Sequence, residues 1–402
     1  MSAPPHAVLD GRPDAAGPGS RWLAREWDRL REQRPGQHRA LRRLWERPGL
    51  VLIPLAAVVC GLIGTSVPGG DPAWFARAGR SMLGAGFWDV FADPGLQIGP
   101  LYLLGTGVAV AGLDALALPR LFVLGAVQGA GLTWLTLRAV RTFTPGSALA
   151  ARWAIGSAFV VGGLLAEAVG AGHPEDVLVA LVLAHAAHAA SRGARVRAGV
   201  LVGVAAALKL WGVLGVPVLL VRRRPGDVML GGSAALLTVL VAYVPFVVWG
   251  EVNTFEFHWS VSPDSTLGLL GPGLEPPGWS LRLLQGGAVV LAGSLAASRR
   301  HGSVLGVVVV VVAVRLLLDP LRLTYYSGPL LVALLLWLWS SPTGLARRLR
   351  TPLTLATPLL VLGPYVVLGA SGAVVSTVLL LAAPAAVLLS ERRPRDQQAL
   401  SS

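Results

Sequence analysis

Cysteine and lysine are almost missing from this 402-residue chain. Cys60 is the sole cysteine and Lys209 the sole lysine, so 33 of the 34 basic residues are arginine. One cysteine excludes an intramolecular disulfide and a cysteine-based metal site. Charged residues make up only 14% of the chain and aromatics 7%, against 54% hydrophobic. Soluble domains carry about 25% charged residues, and together with a mean hydropathy of +0.64 this excludes an ordinary soluble fold. Walker loop, Gly-x-Ser-x-Gly elbow and His-Glu-x-x-His helix are all missing, which removes the sequence basis for nucleotide hydrolysis and soluble-type hydrolase chemistry.

What is present is long apolar runs. Residues 48–70, 228–250 and 323–346 contain no charge, and 351–390 is uncharged over 40 residues. A hydrocarbon core of about 30 Å needs about 20 apolar residues in a helix, so the chain reads as an all-α, polytopic membrane protein with the lipid bilayer as its constant partner. The stretch 351–390 reads as a helical hairpin, turning at Gly363-Pro364 and the glycines 369–372. Residues 1–48, with 10 Arg and 6 acids, read as a basic, largely disordered cytoplasmic tail ending in an amphipathic helix near Trp22 to Trp45. Residues 49–390 form the transmembrane domain, and 391–402 a second cytoplasmic tail.

The arginines decide between two topologies. Counting every apolar run as a span gives twelve and places Arg138, Arg141, Arg152, Arg192, Arg195 and Arg197 outside, against the positive-inside bias. Both faults vanish if 94–113 lies at the outer surface without crossing and 198–221 enters and leaves on the same side. The first segment is interrupted by Gly99-Pro100, Gly105 and Gly107, the second by Lys209, Gly212, Gly215 and Pro217. A lysine at the bilayer centre costs about 2.5 to 3.5 kcal/mol, less where two half-helices meet at a polar cavity. The resulting scheme has about ten full spans, a re-entrant half-helix pair and an outer juxtamembrane helix. Both termini are cytoplasmic in a multi-pass plasma-membrane protein. The net charge of +13 then sets topology; the arginine clusters lack interleaved aromatics, so no nucleic-acid partner is expected.

That scheme puts two acidic segments on one outer face. Asp71-Pro72, just after the first span, suits a helix N-cap followed by Pro at N1, or a carboxylate serving as general base for an acceptor hydroxyl. Asp93-Pro94 repeats the pattern and reads as structural. In His173-Pro174-Glu175-Asp176 the acids suit the first turn of a helix, yet capping alone would not need a histidine and two acids beside Glu167. His185 and His188, at i, i+3, read as helix packing. His258, in a third outer loop with Glu251, Glu256 and Asp264, could bind a phosphate or sugar hydroxyl, or belong to an aromatic belt. Arg315 and Asp319, at i, i+4, are followed by Arg322, Tyr325 and Tyr326; a charge pair there serves as glue or as an anionic-headgroup site. Arg77 and Arg80 are similar outer-side arginines. For Lys209 a structural role is preferred to a contact with lipid phosphate. A secondary transporter would share the spans and the broken helix but should show an internal repeat, and no second copy of the Lys209 break or the His-Pro-Glu-Asp turn is found.

Taken together, Asp71, the His-Pro-Glu-Asp turn, "AGVLVGVAAALKLWGVLGVPVLL" and "RLLLDPLRLTYYSGPLL" resemble the GT-C membrane glycosyltransferases, most closely bacterial family 87, over residues 49 to 390. The resemblance implies transfer of a sugar, often mannose, from a polyprenyl-phosphate donor to a glycolipid or cell-envelope glycan acceptor at the outer face, with no cofactor and no metal. It implies Asp71 as the first-loop catalytic aspartate, with Asp176 and Glu175 as the acids of the second motif. His173 belongs to the same second motif, Lys209 matches a lysine at the break in the short helices, and Arg315, Asp319, Tyr325 and Tyr326 match the late motif, all as substrate-binding candidates; Arg315, Arg322, Arg77 or Arg80 could hold the leaving phosphate. Relatives often carry paired acids in the first loop; here Asp71 is followed by Pro-Ala-Trp, leaving Asp71 and Asp176 as alternatives for the base.

Overall fold

A computed structural model describes residues 18–67, 69–254, 256, 260–271, 278–299, 303–363 and 371–390. His258 and the tail 391–402 lie outside the described residues. Every regular element among the described residues is helical.

Two compact units divide the chain, one ending at Val51 and the other beginning at Leu52. The first contains α1 (Pro18–Gln33) and α2 (Pro35–Glu46). One amphipathic helix was expected here, and two are found. Pro35 lacks the N–H an uninterrupted helix would use and sits at the start of α2. Trp27 meets His38 across the bend, ring centroids 4.7 Å apart.

The chain continues through α3 (Gly49–Ser66), α4 (Gly70–Ser81), α5 (Pro100–Ala115), α6 (Arg120–Phe143), α7 (Ala148–Val160), α8 (Leu164–Gly170), α9 (Pro174–Ser191) and α10 (Arg195–Leu208). After a 3-10 stretch, Leu210–Arg222, come α11 (Pro225–Trp249), α12 (Thr266–Leu270), α13 (Gly278–Ala297), α14 (Leu305–Leu317), α15 (Ser327–Ser340), α16 (Gly344–Leu355), α17 (Thr357–Leu362) and α18 (Ser371–Ser390). Among the described residues, six helical stretches have the length and apolarity to cross a membrane: Gly49–Ser66, Arg120–Phe143, Pro145–Gly170, Pro225–Trp249, Ser280–Ala297 and Ser371–Ser390. Their outward leucines and valines, such as Leu62, Leu237, Val241 and Leu291, are exposed, as lipid-facing positions must be. By contrast α9, α14 and α15 are buried on nearly every side.

The packing of α3 on α6 shows where the segment expected not to cross sets out and returns. Gly64 lies against Leu121, Cys60 against Gly125 and Ala56 against Gly129. These pairings run in opposite directions, so the end of α3 meets the start of α6, and α4 and α5 between them make no net crossing. The α5 helix starts at Pro100, not Pro94; Asp93 instead accepts bonds from Gly95 N and Trp74 Nε1.

The broken segment is a hairpin. Its two ends meet on one carboxylate, Asp227, which pairs with Arg195 at 3.3 Å and Arg222 at 3.6 Å. At about 1.5 Å per residue for α10 and about 2.0 Å for the 3-10 arm, the arms reach roughly 21 and 26 Å. The apex at Lys209 therefore comes level with the first turn of α9, rather than stopping halfway along it. The lysine lies at the end of the bundle that also carries His173.

The expected 351–390 hairpin is altered. Its first arm is divided into α16 and α17 at Ala356, and α16 absorbs Arg347, Arg348 and Arg350. Thr343 caps α16 through its side chain, so that helix starts ahead of the arginine cluster instead of after it. The span expected at 323–346 begins as helix only at Ser327, since Leu323 is extended and a 3-10 turn, Thr324–Tyr326, precedes α15.

Candidate active site

The site is built where the start of α4, the turn between α8 and α9, and the Lys209 break come together. Asp71 lies in the first turn of α4 but does not cap it: Gly69 is the N-cap, and no side chain caps that end. Its carboxylate instead reaches across 102 residues of sequence, with Oδ2 2.9 Å from His173 Nε2. Gly172 permits this approach. Its φ is +83°, and a Cβ there would sit 2.5 Å from Pro72 Cδ. Only glycine accommodates both that backbone and the neighbouring proline.

His173 is the residue before α9, and Pro174 supplies the first helical position. Glu175 and Asp176 lie in the first turn, fully buried. His173 Nδ1 is 2.7 Å from Glu175 Oε1, and Lys209 Nζ donates to Glu175 Oε1 at 2.9 Å and Asp176 Oδ2 at 2.7 Å. Three carboxylates thus converge on one ammonium and one imidazole. A buried carboxylate without a partner is prohibitively costly, so Lys209 is explained by Glu175 and Asp176, and they by it. The short contact to Glu175 keeps a proton on His173 Nδ1. Nε2 then either donates to ionised Asp71 from an imidazolium ring or accepts from its protonated form.

Asp71 differs from the other two acids in exposure. Its side chain is 46% exposed, whereas those of Glu175 and Asp176 are 0% exposed. The hydrogen bond to His173 holds the Asp71 carboxyl below the ordinary aspartate range, against a smaller opposing effect of burial. It is therefore an ionised carboxylate at neutral pH, with one oxygen held and one side open.

Aromatic rings form the wall beside it. Tyr325 stacks on His173 at 4.0 Å and 19°, Phe75 meets the same ring edge-on at 5.2 Å, and Tyr326 packs on Tyr325 at 4.9 Å. Arg315 lies over Tyr326 and Trp211, 4.7 and 5.2 Å from the ring centroids, and pairs with Asp319 at 3.0 Å. Thr324 donates to Glu167, tying the tyrosine turn to α8.

His173, Glu175, Asp176, Lys209, Arg315, Asp319, Tyr325 and Tyr326 thus join Asp71 in one contiguous cluster. Two other expected residues do not join it. Arg77 is exposed on α4. Arg322 donates to Asp264 O, Gly372 O and Ser376 Oγ, and with Tyr326 lines a shallow cleft. His185 and His188 pack against Phe143. Sequence reasoning missed Trp211, whose Nε1 donates to Asp176 Oδ1 at 2.6 Å, and Arg282, 3.9 Å from Asp319. The signal for Trp211 was its place two residues after the break.

The ligand atoms of His173, Glu175 and Asp176 lie within 4.8 Å of one another, close enough to hold a metal ion. Lys209 Nζ already bonds the two carboxylates and lies 3.3 Å from His173 Nδ1. A positive charge of the chain itself stands where a cation would bind.

Residues 100–342 match the model of glycosyltransferase family 87. The chain belongs to that family. It is accordingly a membrane enzyme that transfers sugars. The family 87 match takes in the His-Pro-Glu-Asp turn, the Lys209 hairpin and the Arg315 to Tyr326 segment, while Asp71 precedes it. Among curated proteins none matches the chain.

Proposed function

We propose that this family 87 enzyme transfers mannose from a polyprenyl-phosphate carrier to a glycolipid or cell-envelope glycan at the outer face of the membrane, with Asp71 as general base. The acceptor hydroxyl attacks the anomeric carbon while the bond from that carbon to the phosphate oxygen breaks. Polyprenyl phosphate leaves with the electron pair, and the hydroxyl proton goes to Asp71. The reading rests on one observation above all: Asp71 is the carboxylate of the cluster that is open, ionised and held in place by a buried partner. His173 steadies Asp71 and Glu175 steadies His173, a base oriented by a second and third group.

Developing charge on the phosphate needs fixed cations, and Arg315, beside Tyr326, is the cation of the cluster suited to supply one without a metal. The orientation is supported by α9, which carries His173 at one end and Arg192 at the other, beside the Arg195, Arg222 and Asp227 cluster. Arginines face the cytoplasm, so the site opens outward and both termini lie inside.

The test is transfer of labelled mannose from polyprenyl-phosphate mannose by the purified protein. Asp71→Asn is expected to abolish transfer while the thermal unfolding midpoint stays within a few degrees. Transfer that persists in the folded variant removes Asp71 as the base.

A further inference from the structure

Trp211 lies on an apolar stretch in which nothing but its position marks it. In a continuous helix residues two apart do not face one another. Lys209 is extended, with φ −157° and ψ 132°, and stands between α10 and the 3-10 stretch that starts at Leu210, so Lys209 and Trp211 do not share one helical register. The break therefore lets two donors converge on one acid: Lys209 Nζ takes Asp176 Oδ2 at 2.7 Å and Trp211 Nε1 takes Oδ1 at 2.6 Å. Both oxygens of a carboxylate with no solvent exposure are committed. Arg315 lies 5.2 Å from the centroid of the same indole, so one side chain links the acid cluster to the Arg315–Asp319 pair.

We propose that Trp211 is a positioning residue of the transfer reaction, holding Asp176 as the fixed counter-ion of Lys209 so that proton removal falls to Asp71. This rests on the assignment of Asp71 as base. Asp176 is sealed, with each oxygen facing a donor of the chain itself, so an acceptor hydroxyl reaches it only if a donor gives way, whereas Asp71 offers an open oxygen. The indole N–H holds the second oxygen of the sealed acid. Phenylalanine would keep the ring beneath Arg315 and lose only the donor.

Transfer from polyprenyl-phosphate mannose is measured over pH for Trp211→Phe, Asp176→Asn, the double variant and Asp71→Asn. In Trp211→Phe, kcat is expected to fall by up to roughly a hundredfold, the scale of a small misplacement of a reacting group, with KM nearly unchanged. Its pH profile gains a second ionisation as Asp176 is freed. In the Asp176→Asn background the tryptophan change then costs nothing further, because the two act through one bond. A wild-type kcat and pH profile for Trp211→Phe, or losses that multiply in full in the double variant, overturn the proposal. Should Asp176→Asn fail to fold, the pH profile of Trp211→Phe decides alone. Transfer that survives Asp71→Asn while the Trp211 and Asp176 changes remain coupled removes the base assignment and leaves the positioning role of Trp211 standing.

Discussion

The two ends of the broken hairpin carry the same device in different surroundings. At the open end, Asp227 pairs with Arg195 and Arg222 at 3.3 and 3.6 Å, and these arginine side chains are 50% and 30% exposed. At the apex, Lys209 pairs with Glu175 and Asp176 at 2.9 and 2.7 Å, with exposures of 9%, 0% and 0%. One charge faces two opposite charges in each case. At the open end water competes for the arginines, so the pairs add little and serve to close the hairpin. At the apex no water replaces a lost partner, so each charge makes the others possible. The same sequence economy yields a clasp at one end and a sealed charge cluster beside Asp71 at the other.

Removing one charge from each end breaks the comparison most sharply. Lys209→Met leaves Glu175 and Asp176 buried without their cation and is expected to destabilise the protein by about 3–5 kcal/mol, read from chemical denaturation in detergent. It should abolish transfer as well. Gly172→Ala comes next. A left-handed backbone and the contact with Pro72 predict a cost of about 1–3 kcal/mol, and because Asp71 is pushed off His173, transfer should fall more than stability does.

His173→Gln sharpens the electrostatic side. Asp71 is held below its ordinary range by His173, so its ionised form survives as pH falls and is lost only when pH passes below that depressed value. The stability it contributes follows the same course, present above the unfolded value and lost with acid. Without the imidazole Asp71 protonates at a higher pH, and the acid limb of the pH–rate profile should move upward. A limb that stays in place would detach it from this pair. The smallest effect belongs to the clasp: Asp227→Asn is expected to cost less than about 1 kcal/mol and to leave the pH–rate profile unaltered.

Much of the site could be read in advance because charge in an apolar chain is conspicuous. Lys209 among Gly212, Gly215 and Pro217 announced a break, and the arginine clusters on either side required the segment to return. That requirement put Asp71 and His173 at the same end, where the structure joins them. Hydropathy could not place Trp211, since an indole in an apolar run gives no sign of where its N–H points. Arg77 was drawn toward the site by its charge and loop, but helix α4 leaves it exposed. The arm 351–362 shows the same limit: its apolarity suggested a span, while a threonine cap and Ala356 divided it into two short helices.

Composition and the spacing of charges by themselves determined that the chain is a helical membrane protein, that its acids gather at one end and that 198–221 turns back. These follow from the cost of charge in hydrocarbon, which acts on sequence before any packing. Only the tertiary structure decided which acid is open and which are sealed. Asp71, Glu175 and Asp176 are chemically alike, and their difference lies in what surrounds them: a glycine that lets Asp71 approach His173, and an extended lysine that brings two donors onto Asp176.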